Sequence, residues 1–187
     1  MFKLFLSDGT QGSGAEVWID EDAGLCKKIF KPNSISVSGR APIYNTPEMI
    51  DQFYHNEVFW STQLKSNFVV ELYEHGKLNN DYGYYIIQEY VGPDLLICLK
   101  DGTLFKKFPD IKDQLEEMFK FFQTFNFYKH NSSLANLTGC NGKIKAFDFK
   151  YASPRSTNGR AIEIYSIENW IAQDVGPNLV EHLSKYL

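Results

Sequence analysis

Tyr128-Lys129-His130-Asn131-Ser132-Ser133-Leu134-Ala135-Asn136-Leu137, followed eleven residues later by Asp148-Phe149, is the stretch on which the reading of this chain turns. Asn136 and Asp148 stand on either side of a glycine turn, Asn141-Gly142. Alone, each has an ordinary explanation, because Asn is a common turn residue and Asp a common cap. Their meaning depends on the segments around them.

Upstream, Asp110 reads as the cap of a helix to about residue 127, with Ile111, Leu115, Met118, Phe119, Phe122 and Phe125 along one stripe. Before it, residues 84–89 are a near-continuous apolar run, the pattern of a buried strand. Gly92-Pro93-Asp94 ends that strand and places a boundary between residues 1–91 and 92–187. Thr46-Pro47-Glu48 opens a helix to about residue 66, with a cap, a first-turn Pro and an acid near the positive end. A strand is expected over 69–73, and a polar loop over 32–42. At the start, Phe2, Leu4 and Leu6 alternate, and strands over 16–19 and 25–30 flank the turn Asp20-Glu21-Asp22-Ala23-Gly24. Downstream come a Ser/Pro/Gly-rich loop over 153–160 and two amphipathic helices near 164–172 and 178–186. Strands, a helix, strands and then helices make an α+β order, in contrast to a repeated βαβ one.

Composition narrows the function classes. The chain has 187 residues, 43% hydrophobic and 16% aromatic, enough for a core in one domain or in two small lobes sharing a cleft. A net charge of -4 gives no electrostatic case for nucleic acid. The apolar runs are too short to span a bilayer. The Met1-Phe2-Lys3-Leu4-Phe5-Leu6 start breaks at Ser7-Asp8-Gly9 and reads as a strand, not as a signal peptide. Cys26, Cys98 and Cys140 are widely spaced, which fits a reducing cytosol and no zinc site. His55, His75, His130 and His182 form no metal pattern.

The helix from Pro47 places Ile50, Phe53, Glu57, Trp60 and Leu64 on one face, so a carboxylate sits within an apolar stripe and requires a partner. The strand over 25–30 offers Lys28, beside Cys26 and Phe30, or Lys27 on the opposite face. A surface Lys and a helix-edge Glu are the plainer alternative. Between the first two strands, Thr10-Gln11-Gly12-Ser13-Gly14-Ala15-Glu16-Val17 is a small-residue segment. Its main chain can close over phosphate oxygens, although a hairpin turn is the commoner meaning.

Small-residue loop, strand Lys, helix Glu, apolar strand with hinge, Asn and Asp-Phe, in this order, resemble the protein-kinase fold over about residues 4–152. The resemblance implies a two-lobed architecture: a small antiparallel-sheet N-lobe with one helix, over 1–91, and a truncated helical C-lobe, over 92–187. It implies ATP and Mg2+ as cofactors. It gives catalytic roles to Lys28, Glu57, Asn131 and Asp148, and metal binding to Asn136 and Asp148. Nucleotide contacts fall to Gly12, Ser13, Gly14, Ala15, Val17, Cys26, Lys28, Glu89 and Val91. In size and layout the chain is similar to minimal kinases of bacterial effectors and phages.

The departures are as informative. Thr10 and Ala15 stand for loop glycines, and Lys150 for the Gly after Asp-Phe. Lys129-His130-Asn131 replaces His-Arg-Asp, so the residue expected to accept the substrate proton is an amide. An amide orients a hydroxyl but takes no proton, and losing a general base costs a factor of about 100 to 10,000. Three functions follow from the resemblance. The first is a slow ATP-dependent phosphotransferase with a protein hydroxyl as acceptor. The second is a pseudokinase that binds a protein partner, through a patch that Trp170, Ile171, Leu179, Leu183 and Leu187 could supply if they do not cap the chain's own core. The third is a kinase of small molecules or lipopolysaccharide. The expected location is the cytoplasm, of the chain's own cell or of a host.

Overall fold

The computed structural model describes residues 1–5, 14–35, 42–79, 82–125, 127–129 and 134–154. The chain divides into two compact units: Met1–Val91 with Phe149–Tyr151, and Gly92–Asp148 with the described residues from Ala152.

In the first unit, β1 (Lys3–Leu4), β2 (Glu16–Asp20) and β3 (Leu25–Phe30) follow in sequence. The β2–β3 turn forms because Asp20 Oδ1 accepts the Ala23 N–H at 3.2 Å and Gly24 takes φ +64°, a left-handed value that glycine adopts without strain. β4 (Asn33–Ile35) and β5 (Pro42–Tyr44) pair with each other, so a strand takes up residues 33–35 of the expected 32–42 loop and another begins at its last residue. The helix α1 (Pro47–Gln63) comes next, then β6 (Leu72–Lys77) and β7 (Tyr84–Glu89). The main sheet runs β1-β2-β3-β7-β6, with every pair antiparallel.

α1 starts where its sequence dictates. Thr46 Oγ1 accepts the Met49 N–H at 3.3 Å and Pro47 occupies the first turn. It stops at Gln63, three residues short of the expected end, and Leu64 caps it. Ile50, Phe53, Glu57, Trp60 and Leu64 are all buried. Ile50, Phe53 and Tyr54 pack with Ala15, Phe30 and Ile86 into the core between helix and sheet. Two expectations are revised. The strand expected over 69–73 is β6, beginning at Leu72, because Ser66 Oγ accepts the Phe68 N–H and holds the chain before Val69 in a turn. β7 alternates between buried and half-buried residues, as a one-sided antiparallel strand does, and is not buried throughout.

In the second unit, α2 (Leu95–Lys100) is capped by Asp94, whose Oδ1 accepts the Ile97 N–H at 2.9 Å. α3 (Leu104–Lys107) and α4 (Ile111–Gln123) follow. On α4 the residues Ile111, Leu115, Met118, Phe119 and Phe122 are buried, whereas Phe125 lies past the helix end and is exposed. Asp110 precedes α4 but does not cap it; its Oδ1 instead accepts from Gln114 Nε2 at 2.7 Å. β8 (Phe127–Tyr128) pairs with β11 (Ser153–Pro154). A 3-10 turn over Leu134–Asn136 leads into the hairpin of β9 (Leu137–Cys140) and β10 (Lys143–Ala146). Asn141 and Gly142 turn that hairpin with φ of +51° and +75°, the paired left-handed conformation that Asn-Gly favours. Gln114 ties α4 to it: Nε2 donates to the Gly142 carbonyl at 2.6 Å and Oε1 accepts the Ile144 N–H at 3.0 Å. The expected helices near 164–172 and 178–186 lie outside the described residues, as do Leu6 and most of the 153–160 loop.

Candidate functional site

In the first unit the site is built around one carboxylate. β3 turns Cys26, Lys28 and Phe30 to its buried face, and α1 presents Glu57 there. Lys28 Nζ lies 2.6 Å from Glu57 Oε1, and the two residues are 7% and 1% exposed. Glu57 Oε2 accepts the backbone N–H of Phe149, also at 2.6 Å. Both oxygens therefore carry charge-assisted hydrogen bonds, which is the condition for keeping such a group in a core. The neighbouring Asn56 Nδ2 donates to the Lys150 carbonyl at 3.0 Å, so two adjacent residues of α1 hold the two residues after Asp148. Cys26 stands two residues before Lys28; burial pushes its thiol up to about 11, against a lowering by Lys28 and a further raising by Glu57. It is a neutral, apolar surface at neutral pH.

The small-residue segment ends in this unit. Gly14 is buried with φ +103°, and its carbonyl accepts from Asn45 Nδ2 at 3.2 Å. A Cβ at Gly14 would sit 2.9 Å from the Phe53 ring, so glycine is required by space as well as by conformation. Ala15 is buried in the core, and Val17 stands opposite Lys28 in the β2–β3 register. At the other end, the Glu89 N–H donates to the Glu71 carbonyl at 2.8 Å, Glu89 Oε2 accepts the Glu71 N–H at 3.1 Å, and Val91 is half-buried. Gly12 and Ser13 lie outside the described residues.

The second unit holds Asn136 and Asp148. The Phe147 N–H donates to the Asn136 carbonyl at 3.1 Å, extending the β9–β10 ladder by one bond. Asn136 and Asp148 therefore leave the same end of that hairpin. Asp148 has φ +64°, a conformation few residues besides Gly, Asn and Asp take at low cost. Its carbonyl accepts from Lys129 Nζ at 3.0 Å, and Lys129 is 1% exposed. Sequence reasoning assigned Lys129 no role; a Lys followed by paired Asn and Asp gives no sign that its partner is a main-chain carbonyl. Asn131 lies outside the described residues.

An amide and a carboxylate offer hard oxygen ligands. Mg2+ is ordinarily held by one or two carboxylates together with substrate phosphates and waters, and Asn136 with Asp148 fit such a set. Among the described residues no group of three or more His, Cys, Asp or Glu would hold an ion by protein ligands alone. No helix among them is long and apolar enough to cross a membrane.

The fold is kinase-like. Three solved structures of WbdD match the chain with TM-scores of 0.56, 0.58 and 0.57, each at 17% identity. One of them is described as a bifunctional kinase-methyltransferase and another is a complex with the kinase inhibitor LY294002. The match covers 77–80% of this chain and 31–33% of WbdD, so the chain spans about a third of the length of those structures. No protein-family model matches the sequence, and no curated protein matches it significantly.

Proposed function

We propose that the chain is a kinase-like phosphotransferase that uses ATP with Mg2+ and passes the phosphoryl group to a protein hydroxyl. The observation that carries this reading is the bridging of Lys28 and the Phe149 N–H by the two oxygens of Glu57. That bridge fixes a buried ammonium and the main chain directly after Asp148 to the same helix. The likeness to WbdD, itself a kinase-methyltransferase, supports it.

In this reading Lys28 binds phosphate oxygens and Glu57 holds its ammonium in place. Asn136 and Asp148 hold the metal. The magnesium nucleotide supplies the phosphoryl group and the charge that a loose transition state requires, so positioning and electrostatics carry most of the catalysis. Asn131 orients the acceptor hydroxyl by a hydrogen bond but takes no proton, which passes to water or to a phosphoryl oxygen as the new ester bond forms. The reaction is slow for that reason. Asn131 also motivates the second reading, a pseudokinase that binds nucleotide and a protein partner without transfer.

Labelled ATP with wild type, Asp148→Ala and Asn131→Asp tests both. Asp148→Ala should abolish transfer, and Asn131→Asp should leave it unchanged or raise it by up to a factor of about 10,000. Transfer by Asp148→Ala at the wild-type rate would show that the site is wrong. Magnesium-dependent ATP binding in calorimetry, with no transfer by wild type or Asn131→Asp, would select the pseudokinase.

A further inference from the structure

We propose that Asp51 is a positioning residue: with Tyr82 and Tyr84 it sets the rotation of α1 about its axis, and so the place of Glu57 against Lys28. The proposal rests on the ATP reading, in which Lys28 contacts phosphate, and goes beyond it by assigning residues to which the kinase resemblance gives no role. Asp51 Oδ1 accepts two hydroxyl groups, from Tyr82 and from Tyr84, each at 2.9 Å. The Pro47 carbonyl is a second, longer acceptor for Tyr82 at 3.4 Å. Further along the helix, the Tyr54 ring stacks on that of Tyr84, with 4.1 Å between centroids and 8° between planes. Its hydroxyl lies 2.8 Å from His75 Nδ1. Pro47, Asp51, Tyr54 and Glu57 follow at spacings of four, three and three, so they lie along one side of α1. The first three meet β6, β7 and the residues just before β7, and the last meets β3.

The tyrosines are themselves held in place. They flank Gly83, which takes φ +150°, and a Cβ there would run into the Phe30 carbonyl. The Gly83 carbonyl accepts the Leu78 N–H at 3.0 Å, which joins it to the end of β6. The two hydroxyls, Tyr84 first, hold the Asp51 carboxyl below its usual range, and Asp51 pushes Tyr82 up to about 12. The carboxylate is therefore charged and Tyr82 protonated at neutral pH. Packing of Ile50, Phe53 and Tyr54 with Phe30 and Ile86 fixes the depth of the helix, but apolar contact is non-directional. Hydrogen bonds depend on angle, so they resist turning of the helix where packing does not. Asp51 and Glu57 are about 9 Å apart along the axis, and a rotation freed at one carries the other with it. The plainer role is surface stability: the hydroxyls strengthen folding and leave Glu57 where it is.

Two thiols separate these roles without reference to nucleotide. Cys26 is buried on β3 and senses both Lys28 and Glu57, whereas Cys98 is buried in the second unit and reports general loosening. Iodoacetamide labelling of both at about pH 8.5, read by peptide mass spectrometry, is compared in wild type, Asp51→Leu, Asp51→Asn and the double variant Tyr82→Phe/Tyr84→Phe. Asp51→Leu and the double variant should raise the ratio of Cys26 to Cys98 labelling about fivefold or more. Both should weaken MgATP about tenfold in calorimetry and leave adenosine unchanged. Asp51→Asn keeps a carbonyl oxygen for the hydroxyls and should stay within about twofold of wild type in both readouts. Thermal melting checks that each variant is folded; if Asp51→Leu is not, the double variant, which keeps both rings, carries the test. A lowered melting temperature with the labelling ratio and MgATP affinity unchanged assigns these residues to stability alone and overturns the proposal. If wild type binds no MgATP, the ATP reading fails, and the labelling ratio alone decides whether Asp51 places α1.

Discussion

Lys28 and Lys129 are both buried lysines, yet they are anchored by different kinds of partner. Lys28 meets a side-chain carboxylate at 2.6 Å, so charge is balanced by charge. Lys129 meets the carbonyl of Asp148 at 3.0 Å, a main-chain acceptor. The first arrangement fixes a helix to a strand, and the second fixes the conformation of one residue, Asp148, at a positive φ. Losing the ionic partner takes a whole charge from Lys28; losing Lys129 takes one donor from a carbonyl. The two regions should therefore respond very differently to single substitutions.

Glu57→Gln should have the largest effect. It takes the carboxylate charge from the Lys28 ammonium and can offer its one carbonyl oxygen to Lys28 or to the Phe149 N–H, but not to both as the carboxylate does. A loss of about 3–5 kcal/mol is expected, read by urea denaturation. Adding Lys28→Met should recover much of it, because the remaining amide oxygen then serves Phe149 alone. A double variant no more stable than Glu57→Gln would mean that the charge of Lys28 is not what Glu57 balances.

Gly14→Ala should cost less, about 1–3 kcal/mol, through a strained φ and a Cβ pressed against Phe53. Lys129→Met follows, at about 1–2 kcal/mol, since it removes the donor to the Asp148 carbonyl and keeps most of the volume. If Lys129→Met proved as damaging as Glu57→Gln, the contrast between the two lysines would collapse and Lys129 would have to be balancing an anion.

The contrast also marks what could be read in advance. Glu57 falls in a run spaced by three and four, and Lys28 in one spaced by two, so their facing each other follows from residue types alone. No residue type reports that Lys129 donates to a main-chain carbonyl, or that Asp148 turns left-handed where a glycine would have signalled it. The same division runs through the fold. The long antiparallel strands β2, β3 and β7 and the capped helix α1 carry periodic patterns. The helix α2 is a single apolar run, Leu95-Leu96-Ile97-Cys98-Leu99, too short to show a period. Val69 and Val70 look like strand residues and are buried, yet a turn closed by Ser66 sets their path. The pairing of β4 with β5 depends on contacts across a polar segment, which composition reads as loop.

Cys26 sharpens the comparison at the smallest scale. Its thiol titrates near 11 because it is buried, with Lys28 pulling it down and Glu57 pushing it up. The folded pKa is raised above the ordinary 9.0, so the neutral thiol's contribution to stability is whole below pH 9 and is lost as pH rises towards 11. In wild type at pH 8.5, iodoacetamide should modify the exposed Cys140 first and leave Cys26 protected, as peptide mass spectrometry would show. Glu57→Gln removes the raising charge and keeps the lowering one, so Cys26 should label faster in that variant at a pH where it is still folded. Lys129→Met acts in the other unit and should leave Cys26 as slow as in wild type. Equal acceleration in both variants would point to general loosening, whereas acceleration confined to Glu57→Gln would show that the thiol senses the balance of one ion pair.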